Sequence, residues 1–390
     1  MPFAAALSKA QSTTQALEET VRQLQEQRSG KPDLVLAFFS EKHKSAAAEI
    51  AETLQTRLGP KALLGCMGES IVGNDVEIEG EPALVVWTAV WSKPVEMHPF
   101  CLAPEDTPDG LSLLGWPDGL ADADPKQSCL LLLGDPFTLP IDSLLHDLNE
   151  DHPGLPVIGG MTSGGRGAGD SRLLLSNSVQ ALGAVGVLLV GPLAVRSIVS
   201  QGSRPIGRPM VVTKSHENII EGLGGMTPLA RLQELWPTLS TTEQALFQNG
   251  PQIGRVMNEY QGEFSRGDFL VRNVMGLDQE TGALAINDQL CVGQTVQFHV
   301  RDAKSASEDL HTLLKRNRKN ESRAPAGGLV FTCNGRGSRL FGEPNHDASA
   351  IRAEMGNVPL AGFFAQGELG PVGGQNFIHG FTASVLLFED

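Results

Sequence analysis

The chain has 390 residues, of which 41% are hydrophobic and 19% charged; this predicts two or three domains with a sizeable core and excludes wholesale disorder. Its 45 acidic residues outnumber its 30 basic ones, giving a formal net charge of −15, which argues against nucleic acid or an anionic membrane as the main partner. No apolar run reaches the roughly 18 residues of a membrane span, and MPFAAALSKAQ lacks the basic segment of a secretion signal, so we expect a soluble cytoplasmic protein.

The first predicted element is an amphipathic helix over residues 13–28, TTQALEETVRQLQEQR. Its apolar residues Leu17, Val21 and Leu24 recur at helical spacing and define one buried face. The helix ends before Gly30 and Pro32, which are typical of a break in the chain. We therefore assign residues 1–30 to an N-terminal helical segment.

Beyond residue 30 one pattern occurs three times: an apolar strand, a helix, a second apolar strand that breaks into a Gly-rich turn, and a further apolar run. The pairs of strands that flank the helices are LVLAFFS and ALLGCMGES, CLLLLGD and LPVIGGMTSGG, and GLVFTCNGRG and VPLAGFFAQGELG. The runs that follow are ALVVWTAV, GAVGVLLVG and FTASVLLF. This pattern predicts an α/β protein with mixed sheets built from repeated β-α-β-β units.

The strand–helix–strand spacing favours parallel pairing with a right-handed crossover. The carboxyl ends of parallel strands share one edge of a sheet, where open α/β folds bind ligands. The Gly-rich loops GCMGES, GGMTSGG and FFAQGELG are therefore expected along one edge. For the first two units, tight turns before hairpins remain an equal alternative.

A different region separates the second and third units. There, QGSRPIGRPMVVT is interpreted as strand, turn and strand, TPLARLQELWPTL as a helix, and GDFLVRNVMGLDQETGALAINDQL as a hairpin that turns around Asp278 and Gly282. VGQTVQFHVRDAKSASEDLHTLLKRN predicts a strand followed by a helix capped by Ser305 or Ser307. The charged stretch RNRKNESRAPAGG is interpreted as an exposed loop.

The five cysteines are scattered, odd in number and without CxxC or Cys/His ligand spacing, so we expect free thiols and no structural zinc. No pair of histidines has the helical spacing of a metal site, and His299 and Asp302 only flank an apolar strand. The Gly clusters fit neither GxxxxGK[ST] nor a dinucleotide-binding turn. We expect no metal and no cofactor.

Six segments in series, from ALLGCMGESIVG through QGSRPIGRPMVVT, GDFLVRNVMGLD, VGQTVQFHVRDA and FTCNGRGSRLFGEPNHD to PLAGFFAQGELGPVGGQNFIHGFT, resemble the FIST family. The resemblance implies a FIST N-terminal-like domain over residues 31–222 and a FIST C-terminal-like domain over residues 223–390. It also implies a sensory domain that binds a small ligand, with amino acids or their derivatives as suggested ligands, and that signals through a protein partner or by its own conformational change. Ser203 stands where we associate a cysteine with the family, which weakens any essential thiol role at that position.

The third unit is richest in polar chemistry. In CNGRG, an arginine at a strand end could bind a carboxylate or phosphate through its guanidinium fork, or it could pair with Glu368 and rigidify the loop. The residues we assign to the ligand site from this segment are Cys333, Asn334, Gly335, Arg336 and Gly337.

The helix start and the last Gly-rich loop complete the candidate site. Asp347 is expected to cap the helix, whereas His346 is expected either in the pocket or on the surface. Glu368, between two glycines, suits contact with a ligand amine or with Arg336. The ligand-binding residues assigned here are His346, Gly367, Glu368, Gly370, Gln375, Asn376 and His379.

These residues predict non-catalytic recognition of a small polar metabolite, anionic or zwitterionic, by the C-terminal half of the chain. Two alternatives from other classes stay open. Cys333 could be an enzyme nucleophile, with His346 and Glu368 as base and orienting group, although a buried cysteine at a strand end is usually a small apolar residue. The chain could instead be a protein-interaction scaffold, which would need a protein partner and would show no response to small molecules.

Overall fold

A computed structural model describes residues 2–27, 30–108, 110–264, 266–320 and 324–389. The chain divides into two compact bodies. The first, here called the three-sheet body, runs to Val199 and resumes at His311. The second, the barrel body, is Ser200–Leu310. The resemblance implies a boundary between residues 222 and 223. That boundary divides family domains and not compact bodies, and it stays a prediction.

The helices occupy the segments between the apolar runs, where polar and apolar residues alternate with helical period. Their bounds are α1 (Thr13–Gln27), α2 (Ala47–Leu58), α3 (Ile141–Asp151), α4 (Pro228–Leu235), α5 (Thr241–Asn249), α6 (Ala303–Asn320), α7 (Ser338–Phe341) and α8 (His346–Met355).

The strands coincide with the apolar runs and with the Gly-rich hairpins that follow them. In the first half of the chain they are β1 (Phe3–Ser8), β2 (Leu34–Ser40), β3 (Ala62–Gly68), β4 (Ser70–Gly73), β5 (Val76–Glu79), β6 (Leu84–Ala89), β7 (Glu96–Thr107), β8 (Gly110–Leu114), β9 (Ser128–Gly134), β10 (Val157–Met161), β11 (Leu173–Leu175), β12 (Ser178–Gln180), β13 (Ala184–Val190) and β14 (Ala194–Ser200). The remaining strands are β15 (Ser203–His216), β16 (Ile219–Leu223), β17 (Gln252–Val256), β18 (Phe269–Leu277), β19 (Leu284–Ile286), β20 (Thr295–Arg301), β21 (Gly327–Cys333), β22 (Leu360–Ala365), β23 (Glu368–Val372), β24 (Gln375–His379) and β25 (Ala383–Glu389).

The predicted repeat is confirmed in the three-sheet body. In each unit the two strands that flank the helix pair in parallel: β2 with β3, β9 with β10, and β21 with β22. The later apolar run of each unit, β6, β13 or β25, pairs antiparallel with the first strand of the same unit. The fold is thus α/β, with mixed sheets built from the same unit three times.

The hairpin that follows the second strand of each unit leaves its own sheet and joins that of another unit. Hairpin β4–β5 of the first unit pairs with β22 of the third, β23–β24 of the third pairs with β10 of the second, and β11–β12 of the second pairs with β3 of the first. The exchange is cyclic, and it protects the edges of the parallel strands β3, β10 and β22 with antiparallel neighbours. Each unit therefore needs the other two to complete its sheet.

The inner faces of the three sheets share one apolar core. Phe38 of the first unit lies 5.2 Å, centroid to centroid, from Phe363 of the third, and Phe331 lies 5.7 Å from Phe363. Leu131 and Ile158 of the second unit belong to the same cluster. The outer faces are covered by helices, with α1 and α2 on the first sheet and α3 on the second. Strands buried on both faces explain why these runs are apolar throughout rather than alternating.

The loops that follow the three second strands meet at one end of this body. The N–H of Glu69 donates to Oγ of Ser163 at 2.7 Å, and that hydroxyl donates to the carbonyl of Phe364. The N–H of Gln366 donates to the carbonyl of Met161 at 3.1 Å. The first, second and third units are thus hydrogen-bonded to one another through these loops.

The barrel body is a closed six-stranded barrel in the order β15-β16-β19-β18-β17-β20, with a core that includes Ile253 and Phe298. The expected strand, turn and strand in QGSRPIGRPMVVT form one continuous strand, β15, because the glycine produces a bulge rather than a turn. Helix α6 is capped by Asp302, whose Oδ1 accepts the N–H of Ser305 at 2.6 Å, and not by Ser305 or Ser307. The helix reaches Asn320, so the first part of the expected loop is helical; residues 321–323 lie outside the described ranges.

Candidate functional site

A buried polar cluster lies at the carboxyl end of the parallel strands of the third unit. Arg336 follows β21, Glu368 begins β23 directly after β22, and Asp347 lies in the first turn of α8. None of these three side chains is more than 2% exposed. Their convergence follows from the parallel pairing of β21 and β22, which places both strand ends at the same edge.

Arg336 forms a bidentate ion pair with Asp347, and its charge also acts on Glu368. Its Nε donates to Oδ2 of Asp347 at 2.7 Å, and its Nη2 donates to Oδ1 at 2.8 Å. Asp347 is not the helix cap, because Asn345 occupies that position with a left-handed φ of 65° and α8 begins at His346. The bidentate geometry occupies two of the three guanidinium nitrogens, so Arg336 anchors the start of α8 to the end of β21.

Asp347 is ionised because its hydrogen bonds and the neighbouring guanidinium outweigh its burial. Burial alone would raise the pKa of this carboxyl, but the charge of Arg336 holds the pKa well below its usual range. Oγ1 of Thr332 donates to Oδ2 at 2.6 Å, and Nδ1 of His346 lies 2.9 Å from Oδ1. The His346 ring also stacks on Phe341, with centroids 3.4 Å apart. His346 therefore supports the ion pair and does not lie on the open surface.

Glu368 lies in the same cluster but is not fully paired. Its Oε2 accepts the N–H of Thr382 at 3.0 Å, whereas its Oε1 is buried without a hydrogen-bond partner among the described residues. Burial raises the pKa of Glu368 from an ordinary 4.5 to about 8, although hydrogen bonds from the N–H of Thr382 and from the Cys333 thiol, and the charge of Arg336, act in the opposite direction. At neutral pH the carboxyl is therefore mostly protonated.

The second unit offers an internal comparison at the corresponding corner. Asp135, at the end of β9, occupies the position that Cys333 occupies at the end of β21. The N–H of Asp135 donates to the carbonyl of Gly183, and the N–H of Cys333 donates in the same way to the carbonyl of Thr382. Asp135 is fully buried, but its Oδ1 accepts from Ser171 at 2.5 Å and its Oδ2 from Thr138 at 2.6 Å. Both oxygens of Asp135 have partners, whereas Oε1 of Glu368 has none among the described residues.

A second buried carboxyl reaches the cluster from the first unit. Glu77 lies on β5, which joins the third sheet through the exchanged hairpin. Its Oε1 accepts the N–H of Ala348 at 2.9 Å, and its Oε2 is buried without a partner in the described part of the chain. Burial, followed by the charge of Asp347, raises the pKa of Glu77 to about 8. Sequence reasoning missed Glu77 because only the cyclic exchange brings it here.

Phe381 covers the corner. A Cβ on Gly335 would lie 2.5 Å from the Phe381 ring, so the ring rests directly on the glycine backbone. Phe381 has a φ of 63°, which a bulky residue rarely adopts. Its carbonyl oxygen accepts a long hydrogen bond of 3.4 Å from Nη1 of Arg336. A strained aromatic residue thus closes the space above Gly335 and holds the remaining guanidinium nitrogen.

Two further residues of CNGRG line this end of the cluster. The N–H of Asn334 donates to the carbonyl of Ala365 at 3.0 Å, and its Oδ1 is buried with no partner among the described residues. Gly337 packs against the Phe364 ring, where a Cβ would lie 2.7 Å from Cε1. Sγ of Cys333 accepts a weak bond from the N–H of Gly335 at 3.4 Å.

The remaining candidate residues lie on hairpin β23–β24. His379 pairs opposite Glu368 in the ladder, and its Nε2 donates to the carbonyl of Gly370 at 3.0 Å. The carbonyl of Gly367 accepts the N–H of Met161 at 2.8 Å. At the far end of the hairpin, Gln375 is exposed and Asn376 is buried, bonded to the second unit. The structure therefore brings His379 and Gly367 to Glu368 and places Gln375 and Asn376 away from it.

Comparison with known proteins places this architecture in a family. The family model described as the FIST N domain matches residues 33–226, and that described as the FIST C domain matches residues 228–371. The chain belongs to the FIST family. FIST domains are generally associated with small-ligand sensing and signal transduction.

Two uncharacterized mycobacterial proteins resemble the chain over most of its length. The uncharacterized protein Rv0628c of Mycobacterium tuberculosis is 43% identical over 375 residues, which cover 96% of each chain. The uncharacterized protein Mb0898c of Mycobacterium bovis is 42% identical over 377 residues, again 96% of each.

The described residues show neither a metal-binding cluster nor a membrane-spanning helix. Within the described residues, no group of three or more His, Cys, Asp and Glu side chains is arranged to hold a metal ion. In the same part of the chain, no helix has the length and apolar character needed to cross a membrane.

Proposed function

We propose that the protein is a non-catalytic receptor for a small polar metabolite that carries a protonated amine, and that Glu368 recognises the ammonium group. The observation that carries this proposal is Oε1 of Glu368, which is buried without a hydrogen-bond partner among the described residues at the carboxyl end of the parallel strands β21 and β22. Buried polar atoms are nearly always satisfied in folded proteins, so an unpaired one calls for a partner from outside.

An ammonium ion suits the unpaired Oε1 of Glu368 better than an anion does. It brings N–H donors and a positive charge, and it would ionise the carboxyl to form a charge-assisted pair. A bare anion would face the unpaired carboxyl oxygen, while Arg336 already gives two of its nitrogens to Asp347. Recognition of a lone carboxylate or phosphate at Glu368 is therefore disfavoured.

A carboxylate on the same ligand would find donors if Phe381 moved aside. The N–H of Gly335 donates to sulfur, a weak acceptor, at 3.4 Å, and Nη1 of Arg336 donates a long hydrogen bond to the carbonyl of Phe381 at 3.4 Å. Displacing Phe381 would expose both donors and release the strain of its positive φ. An amino acid or a close derivative combines the required ammonium and carboxylate, and Phe381 would act as the cover that rearranges on binding.

The test is a ligand panel built from matched pairs: amino acids, the same molecules without the amino group, and the same molecules without the carboxylate. Thermal unfolding of the wild type should rise only with ligands that carry the amine. Glu368→Gln should lose the response, at a cost of roughly 2–5 kcal/mol of binding free energy. Gln375→Ala is the control, because Gln375 is an exposed residue at the far end of the same hairpin. Equal responses to ligands with and without the amine would contradict the proposal.

The same experiment separates the two alternatives. A thiol enzyme would convert the ligand, and Cys333→Ala would stop turnover while leaving binding in place. A receptor would give stoichiometric heat without product in both wild type and Cys333→Ala. A protein-interaction scaffold would show no response to any member of the panel.

A further inference from the structure

The barrel body contains a pocket of its own, separate from the cluster around Glu368. It has a volume of about 470 Å³, within the range of small-molecule sites. Its lining residues are Ile206, Gly207, Arg208, Met210, Arg231, Glu234, Leu235, Thr238 and Phe298. The floor is apolar, because Ile206 and Phe298 belong to the barrel core and are almost fully buried.

A bulge in β15 shapes the mouth of this pocket. Ile206 pairs with Phe298 and Met210 pairs with Val296, so the three residues between them on β15 face Gln297 alone. The side chain of Gln297 holds the bulge by donating from Nε2 to the carbonyl of Gly207 at 2.9 Å. Bulges are frequent beside functional sites because they redirect a side chain out of the regular sheet.

Gly207 is the residue that allows the bulge to approach helix α4. It has a φ of 65°, and a Cβ at this position would lie 2.7 Å from Cδ1 of Leu235. Any other residue would be strained at this φ, and its Cβ would displace the Leu235 side chain from the pocket wall. The bulge therefore places its next residue, Arg208, at the rim of an apolar cavity.

The two arginines of the pocket differ in what they already bind. Arg231 donates to the carbonyls of Leu223 and Gly224 and to Glu234, so its guanidinium is engaged. Arg208 is exposed and has no ion-pair or hydrogen-bond partner within the residues that the structure describes. Among the lining residues, the guanidinium of Arg208 is thus the charged group without a partner, and it lies above an apolar floor.

We propose that the barrel body binds a small organic anion with an apolar body, whose carboxylate or sulfonate is held by Arg208 while its apolar part contacts Phe298, Leu235 and Met210. A guanidinium pairs with the two oxygens of such a group, and the cavity excludes water from the apolar part. This site is independent of the receptor site proposed at Glu368.

A pair of fluorescent probes tests the proposal. 8-Anilinonaphthalene-1-sulfonate carries the anionic group, and N-phenyl-1-naphthylamine is the same aromatic framework without it. The sulfonate should bind one per chain, and Arg208→Gln should weaken its binding roughly tenfold or more, because a charge-assisted contact is lost. Binding of the uncharged probe should be unaffected by Arg208→Gln. Arg57→Gln, an equal change of charge at an exposed residue of α2, is the control and should alter neither probe.

A second variant locates the pocket. Thr238 is exposed at the rim, so Thr238→Phe should leave the fold intact, as circular dichroism would verify, and should block both probes. The proposal is overturned if the sulfonate does not bind the folded protein, if Arg208→Gln leaves its affinity unchanged, or if Thr238→Phe has no effect on either probe.

Discussion

Arg336 and Asp347 form a fully buried bidentate ion pair, with Nε to Oδ2 at 2.7 Å and Nη2 to Oδ1 at 2.8 Å. The pair connects the loop after β21 to the first turn of α8. It fixes the backbone on one side of the corner that contains Glu368. Because the guanidinium serves this structural contact, loss of Arg336 should first be visible in stability.

We predict that Arg336→Ala lowers the free energy of unfolding by about 3–5 kcal/mol, since it leaves a buried carboxylate without its counter-charge. Arg336→Lys should recover little, because a point charge cannot replace the fork. The double variant Arg336→Met/Asp347→Leu should lose less than Arg336→Ala does, because it leaves no buried charge. Urea unfolding of the three variants provides the measurement, and a loss below about 1 kcal/mol for Arg336→Ala would show that the pair is not structural.

Asn376 and its neighbour Gln375 should respond in opposite ways to truncation. The Asn376 side chain accepts the N–H of Val157 at 2.8 Å and donates to the carbonyl of Leu155 at 2.8 Å, so it fastens the exchanged hairpin to the second unit. Asn376→Ala should cost roughly 2–4 kcal/mol, because buried backbone groups lose their partners. Gln375→Ala, at an exposed position, should stay within about 0.5 kcal/mol of wild type. Equal stability of the two variants would contradict this account of the hairpin.

The two buried carboxyls predict a pH dependence of stability. The pKa values of Glu77 and Glu368 in the folded protein, about 8, lie above the ordinary 4.5 of the unfolded chain. Their stabilising contribution is therefore complete below about pH 4.5 and is lost as the pH rises through about 8, by roughly 2–4 kcal/mol for each group. Glu77→Gln and Glu368→Gln should each flatten the decline in unfolding free energy between about pH 5.5 and 8.5. An unchanged slope in both variants would refute the assignment.

The cysteines should differ widely in reactivity although all five are free. Burial raises the pKa of the Cys129 thiol to about 12 and that of Cys66 well above its usual range, whereas Cys291 is exposed. In the native protein a thiol reagent should modify Cys291 rapidly, and Cys66 and Cys129 only after unfolding. Denaturation without reductant should give a total of five thiols. A total of three or one would indicate a disulfide.

The repeated unit could be predicted from the sequence because it depends on local order: apolar run, helix, apolar run, glycines. The cyclic exchange of hairpins could not. Whether β23 pairs with β10 or with β22 is decided by tertiary packing, and no periodicity within FFAQGELG distinguishes the two. The same limit hid Glu77, which only the exchanged hairpin β4–β5 brings beside Asp347.

The partner of Arg336 was ambiguous for a related reason. The position of Asp347 at a helix start favours a cap, so Glu368 is the acidic residue that the sequence offers as a partner for Arg336. The cap position is instead taken by Asn345 in a left-handed conformation, which places Asp347 two residues beyond the cap, where it pairs with Arg336. Glu368 was singled out from its glycine neighbours, but its unpaired oxygen is visible only in three dimensions.

The central claim is that Glu368 binds the ammonium group of a ligand, and proton release on binding tests it most directly. At pH 7 a carboxyl with a pKa of about 8 is mostly protonated, and pairing with an ammonium ion should ionise it. Calorimetric titration of an amine-bearing ligand in buffers of different ionisation enthalpy should therefore show close to one proton released per ligand bound. Glu368→Gln should show none. Tight binding to the wild type without proton release, or the same release by Glu368→Gln, would contradict the claim.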